Sequence, residues 1–379
     1  MVFGISVDFE KTIADELLTC PEGTVFLAAV SGGADSMAML AALCAVVPKD
    51  RIFCLHIEHG LRPAPESRGD AEHVCSFCEK NGIDCRVESV APGKIESFAR
   101  RKGTGIEAAA RHFRRRLLFR HAARLEKESG SKIRVLIAHT KDDALELSLM
   151  RVLRGAGPAG LASMPVSRGR ILRPMLNVSR TDIVQYLTEK NIPWREDSTN
   201  TDEKFLRNRV RRRLVPLLNE FFPNWKNGLS ALASTQSLVA EYFSKNAQKN
   251  ITWESTAGGF VTDEENFFSV GKIIREEAVF SAIDKLSTGE SARSIKRSVI
   301  RRFCSGSSNA ADLGPFTLKR EGGKVVLSPN NMEFYEKGFS LLIKEPGLYN
   351  LNNIGIEVRR AGGDPAENGF VFLITEKEP

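Results

Sequence analysis

The chain has 379 residues, 42% of them hydrophobic, with seven cysteines and a formal net charge of +7. That length predicts roughly two to three domains of ~150 residues each, and the apolar fraction is that of a soluble globular protein. No apolar run reaches the ~18 residues of a membrane span; the first residues carry no basic-then-apolar signal; and an odd number of scattered cysteines predicts reduced thiols in a cytoplasmic setting, not a disulfide frame.

In chain order, an apolar run at 24–30 reads as a buried strand and leads directly into Ser31-Gly32-Gly33-Ala34-Asp35-Ser36. A helix-like run at 36–47 follows. A strand, a glycine turn and a helix start together hold anions: glycine lets the backbone approach the ligand, and free amides at the helix N-terminus face negative charge. The loop lacks the Lys of a Walker-type loop and is shorter than a dinucleotide turn. The alternative is an ordinary turn capped by Asp35 or Ser36.

Further strands are expected at 51–57, 84–90 and 133–138, with helical periodicity at 67–80, 106–128 and 141–153. Strands alternating with helices predict an α/β class: a parallel, Rossmann-like sheet with helices on both faces. Ligands of such sheets sit beyond the carboxyl ends of the strands. The glycine loop, His56-Ile-Glu-His59 and Ala138-His-Thr-Lys-Asp-Asp143 each follow a predicted strand, so three motifs converge on one rim.

A helix at 180–190 and an arginine-rich helix at 203–219 come next, then a boundary signal at Pro223-Asn-Trp-Lys-Asn-Gly228. From 229 to about 304 the pattern is helical, for example at 229–244 and 292–303. Beyond it, runs at 316–320 and 324–328 flank Glu321-Gly-Gly, a hairpin signal, and β-like runs recur at 339–343, 354–359 and 369–374. The expected division is a first domain over 1–220, a helical domain over 221–310 and a small β-rich domain over 311–379. The last reads as incomplete, because the chain stops almost on its final predicted strand. Two arginine-dense runs, Arg111-His-Phe-Arg-Arg-Arg116 and Arg207-Asn-Arg-Val-Arg-Arg-Arg213, read either as solvated helix faces or as grips for a polyanion. Cys75-Ser-Phe-Cys78 reads as two small apolar thiols on a packed helix.

The loop at 31–36 resembles the PP-loop of the N-type ATP pyrophosphatases, which cleave ATP between its alpha and beta phosphates. Further motifs, in order, resemble those of the tRNA(Ile)-lysidine synthetases: His56-Ile-Glu-His59-Gly-Leu-Arg62, Gly103-Thr-Gly-Ile-Glu107-Ala-Ala-Ala-Arg111, Ala138-His139-Thr-Lys-Asp142-Asp143-Ala-Leu-Glu146 and Arg154-Gly-Ala-Gly-Pro-Ala-Gly160. Ile171-Leu-Arg-Pro174, Trp194-Arg-Glu-Asp197-Ser-Thr-Asn200-Thr-Asp202 and Arg207-Asn208-Arg209-Val-Arg211 complete the set, which spans 24–216. The sequence departs from that family at Thr140, where a second His is usual, at Ala144 and Leu147, and at Glu58 in place of a common Asn.

The resemblance implies that ATP adenylates the C2 oxygen of the wobble cytidine in a CAU-bearing tRNA(Ile), and that L-lysine then displaces AMP to give lysidine. It implies ATP contacts from Ser31, Gly32, Gly33, Ala34, Asp35, Ser36, His56 and His139, with Mg2+ at Asp35. Lysine would be held by Asp143, Glu146 and Arg207, and RNA by Arg111, Arg207, Arg209, Arg211, Arg212 and Arg213. The catalytic candidates are Asp35, Asp143, Glu146 and Arg111. The alternative for Asp142 and Asp143 is helix capping, with Glu146 closing a capping box. A homodimer is compatible with the resemblance. The enzymatic alternative is a PP-loop tRNA cytidine thiolase, in which the Cys75/Cys78 pair would serve sulfur or iron–sulfur chemistry.

Overall fold

The computed structural model of the chain describes residues 8–61, 64–196, 206–256, 258–286, 295, 297–330, 347–351, 354–360 and 370–375. It divides into two compact units at Ala240/Glu241.

The first unit is organised by alternation in its central strand, β1 (Val25–Ala29). Successive side chains of a strand point to opposite faces, and here Phe26 and Ala28 join one buried cluster while Val25 and Leu27 join another. The Phe26 face is covered by α1 (Phe9–Leu17) and α2 (Ala34–Val46). Every α2 residue from Met37 to Leu43 is buried, so this part of the helix is apolar all round and lies inside the layer. Next in the chain come β2 (Ile52–Glu58), α3 (Ala64–Asn81), β3 (Asp84–Ser89), α4 (Lys94–Lys102), α5 (Ile106–Ser129) and β4 (Ile133–Ile137). On the other face, Leu118, Ala122 and Leu125 of α5 pack on Val25, Leu27, Leu55 and Val135. Each such buried aliphatic side chain contributes about 1.5–3 kcal/mol.

The unit continues through α6 (Lys141–Leu153), α7 (Pro158–Leu161), β5 (Ser167–Arg168), β6 (Ile171–Leu172) and α8 (Arg180–Glu189). The strand order is β3-β2-β1-β4-β6-β5, parallel except for the β5–β6 edge pair. This is the expected parallel sheet with helices on both faces. Tyr186 of α8 stacks on Phe9 of α1 with ring centroids 4.3 Å apart, closing the outer layer. The arginine-rich helix comprises α9 (Leu206–Arg209), a π-helical turn over Val210–Leu214 and α10 (Val215–Phe221); α11 (Trp225–Asn250) then runs across the division between the units. The start of that helix expected at 203, like Arg62 and the motif residues Asp197, Asn200 and Asp202, lies outside the described residues.

The second unit departs from the helical reading of 229–304. Strands β7 (Glu254–Thr256) and β8 (Gly259–Asp263) precede α12 (Glu264–Ser269), α13 (Lys272–Leu286) and α14 (Arg297–Cys304). After them, β9 (Ala310–Asp312), β10 (Phe316–Glu321) and β11 (Lys324–Pro329) complete an antiparallel sheet in the order β7-β8-β11-β10-β9. Phe267, Val279, Ile283, Ile300 and Phe303 share one core with Leu318, Val325 and Leu327. The boundary drawn at 310 therefore falls inside a single core. Its cause was the length of β7 and β8, three and five residues, too short for a period-2 signal among longer helices. The β10–β11 hairpin forms as expected: Gly322 and Gly323 sit at φ +57° and +72°, the left-handed pair a two-residue hairpin turn requires. A second sheet, β12 (Gly347–Leu351), β13 (Ile354–Arg360) and β14 (Phe370–Thr375), is antiparallel throughout. The run expected at 339–343 lies outside the described residues.

Candidate active site

The glycine loop begins where β1 ends. His56, buried on β2, places Nδ1 2.9 Å from the Val30 carbonyl oxygen and so fixes the strand end from beneath. Ser36 folds the loop back on itself: its Oγ accepts from the Ser31 amide at 3.1 Å and donates to the Gly33 carbonyl at 2.9 Å. Gly32 has φ +89°, which a side chain would strain, although a Cβ there would find its nearest neighbours only at 3.6 Å. The Gly32 carbonyl accepts from the Arg195 amide at 3.0 Å, and the Arg195 guanidinium reaches the buried Asp70 at 2.5 Å. Gly33 is the N-cap of α2, and no side chain bonds the first amides of that helix. The capped-turn alternative fails on this point, because the Ser36 hydroxyl is spent on Gly33 and the Asp35 carboxylate pairs with Arg180. Amides at a helix start that no side chain caps are the groups that hold an anion.

Across the rim, Thr140 caps α6, and the capping box is closed by Asp143, not by Glu146 as the spacing alone suggested. Asp143 Oδ2 accepts from the Thr140 amide at 3.0 Å, and the Asp143 amide donates to Thr140 Oγ1 at 3.2 Å. That leaves Oδ1, which accepts from Arg207 Nη2 at 2.5 Å. Capping and site chemistry therefore use different oxygens of one carboxylate. Glu146, three residues on and 4% exposed, accepts from Arg207 Nε at 2.9 Å and from Arg211 Nε at 2.6 Å. The Asp143/Glu146 pair thus shares one helix face, as its spacing predicts, and two guanidiniums neutralise it. Arg211 belongs to the π-helical turn, a distortion that recurs at functional sites. Asp142 lies apart from this pair, taking the Arg180 amide at 2.9 Å and Lys226 Nζ at 3.2 Å.

The surrounding field is strongly positive. Burial, reinforced by Arg111, Arg173, Arg207 and Arg114, pulls the His139 imidazole down to about 3. His139 is therefore neutral, and Arg173 Nε donates to its Nδ1 at 3.2 Å, which leaves the ring proton on Nε2. Burial pushes the Asp35 carboxyl up, and Asp143 adds to this, against the opposing pull of Arg180 and Arg211.

The His139 shift has a consequence for stability. Its folded value lies below the ~6.5 of an unfolded imidazole, so its contribution is complete above that value and is lost as pH falls towards about 3. Over that window the loss runs at about 1.4 kcal/mol per pH unit. Chemical denaturation of a His139→Gln variant at several pH values should show a shallower acid slope than the parent; equal slopes would refute the assignment.

Of the residues singled out from sequence, Ser31 to Ser36, Asp35, Asp143, Glu146, Arg207 and Arg211 converge on this rim, with Arg111 close enough for its charge to act on His139. Arg209, Arg212 and Arg213 are exposed on the same helix as Arg207 and do not join the acidic pair. Arg173 and Arg195 stand inside motifs quoted from the sequence but were given no role there, and Arg180 and Lys226 were not singled out. For Arg180 a signal existed: Ser179-Arg-Thr-Asp182 forms a capping box that aims the next residue at the rim. Lys226 lies inside the boundary signal at 223–228 and carries no separate one.

A model of the PP-loop domain matches residues 6–218 of the chain. The curated tRNA(Ile)-lysidine synthase of Treponema denticola is 42% identical over 226 residues, covering 58% of this chain and 48% of that protein. The tRNA(Ile)-lysidine synthase of Thermotoga maritima is 34% identical over 252 residues, covering 65% and 58% respectively. The chain spans about half the length of the curated relatives it matches. The solved structure of the U34-tRNA thiolase NcsA from Methanococcus maripaludis with its [4Fe-4S] cluster aligns with a TM-score of 0.45 at 13% identity, over 62% of this chain and 79% of that one. No helix among the described residues is long and apolar enough to cross a membrane.

Proposed function

The chain belongs to the PP-loop domain family, and on that premise we propose that it is a cytoplasmic ligase joining L-lysine to carbon 2 of the wobble cytidine in CAU-bearing tRNA(Ile). The observation that carries this reading is the pair formed by partly buried Asp143 and buried Glu146, on the same rim as an uncapped phosphate loop. The cytidine O2 attacks the ATP alpha phosphorus and pyrophosphate leaves. The lysine amine then attacks C2, AMP departs with the former O2, and the amine proton passes to a carboxylate of the pair. The loop amides from Gly32 to Ser36 neutralise the leaving pyrophosphate. Asp35 suits Mg2+, because its half-buried carboxylate is held by a single exposed arginine that a metal would replace.

Glu146 and Asp143 suit the lysine ammonium, which enters by exchanging with Arg207 or Arg211; the guanidinium so released is placed for the lysine carboxylate. Arg111, Arg207, Arg209, Arg211, Arg212 and Arg213 are assigned to RNA phosphate, and the segments beyond 240 to choosing the tRNA. The similarity to the curated lysidine synthases supports this reading over a thiolase.

Incubating the protein with ATP, radiolabelled lysine and unmodified CAU-bearing tRNA(Ile) should place label in the RNA and release AMP and pyrophosphate. AMP without labelled RNA would remove lysidine from the proposal while leaving adenylation in place. The Arg212→Ala/Arg213→Ala double variant should make the salt dependence of tRNA binding shallower by about 1–2 in log–log slope; an unchanged slope would take these side chains out of the interface.

A further inference from the structure

Four of the seven cysteines meet on the face of the sheet covered by α3. Cys54 of β2 and Cys85 of β3 are direct neighbours in the parallel register. Cys75 and Cys78 are one helical turn apart on α3, the C-x2-C spacing common among thiolate ligands. The sulfurs of Cys54, Cys78 and Cys85 all lie within 4.8 Å of one another, and Cys75 Sγ is 3.6 Å from Cys85 Sγ. No other group of three His, Cys, Asp or Glu side chains among the described residues has such spacing. The reading of Cys75 and Cys78 as plain apolar thiols accounts for the burial of Cys78 but not for the convergence of sulfurs from three elements.

We propose that Cys54, Cys78 and Cys85, with Cys75 at their edge, bind a single thiophilic divalent cation of the zinc class. In a tetrahedral site with zinc–sulfur bonds of about 2.3 Å, the sulfurs stand roughly 3.8 Å apart. Three sulfurs within 4.8 Å of one another are compatible with one ion of that size and too close to span a cubane cluster. The cation binds the cysteines as thiolates, so its binding displaces their protons. Cys54 lies four residues before Glu58, about 13 Å along the strand at its usual rise. The site is therefore set back from the rim, where a bound ion would pin α3 to β2 and β3.

Cobalt(II) added to the reduced, full-length chain is the test. One equivalent should bind, with thiolate charge-transfer bands and tetrahedral d–d bands, and equimolar zinc should erase both. Cys54→Ser and Cys78→Ser should each weaken binding by at least 10-fold, Cys44→Ser should leave it unchanged, and binding should weaken as pH falls. If a serine variant unfolds, mass spectrometry of the parent after alkylation decides: zinc should protect Cys54, Cys78 and Cys85 together. Absence of the bands, their persistence in both serine variants, or a zinc-independent loss of two mass units on mild oxidation would overturn the site, the last in favour of a disulfide.

Discussion

Glu146→Gln is expected to lower lysine transfer by about 100- to 1,000-fold, the scale for losing a group that takes a proton from the attacking amine, while ATP–pyrophosphate exchange stays within a few-fold of the parent. Glu146 is 4% exposed and takes three hydrogen bonds from Arg207 and Arg211. An amide of the same shape keeps the packing but not the charge, so two guanidiniums are left with Asp143 alone. In the proposed reaction the carboxylate also receives the lysine ammonium. The two half-reactions therefore part company, and separate assays of pyrophosphate exchange and lysine incorporation read them independently. Equal loss of both would mean that Glu146 supports the loop or the fold and not the amine.

Asp35→Asn is expected to act on the other half. AMP formation should fall by about 100-fold or more with every acceptor, the scale for removing a group that stabilises developing charge. Stability should change by less than about 1 kcal/mol, because the Asp35–Arg180 pair is partly solvated on both sides. The carboxyl is pushed above its usual range chiefly by burial. The sign follows from that: the group favours the folded state at low pH, and this contribution is lost as pH rises through the folded value, so removing the charge does not destabilise at neutral pH. Calorimetry beside an AMP assay checks both. A variant that melts well below the parent would make Asp35 a structural residue.

The central strands and helices were legible because each carries its period within one segment: 106–128 and 141–153 as predicted lie within one residue of α5 and α6. The uncapped loop was legible too, since its strand, glycines and helix start adjoin in the chain. β7 and β8 were not, because three and five residues hold too little pattern and β11, the strand that joins β8 to the rest of the sheet, lies some sixty residues away. At the site, the acids were visible by their spacing, but their arginine partners were not. In the sequence Arg207 and Arg211 are indistinguishable from the rest of the basic run, yet it is these two that reach Asp143 and Glu146.

By itself the sequence determined the parallel sheet, the phosphate loop and the common face of Asp143 and Glu146, since propensity, periodicity and capping act within a few residues. Only the tertiary structure decided which arginines meet those acids, that Asp143 divides its two oxygens between Thr140 and Arg207, that Arg180 seats on Asp35, and that four thiols from α3, β2 and β3 converge. Charge and sulfur contacts form between segments whose separation in the chain carries no local signal, and burial, which sets their strength, exists only once the layers have packed.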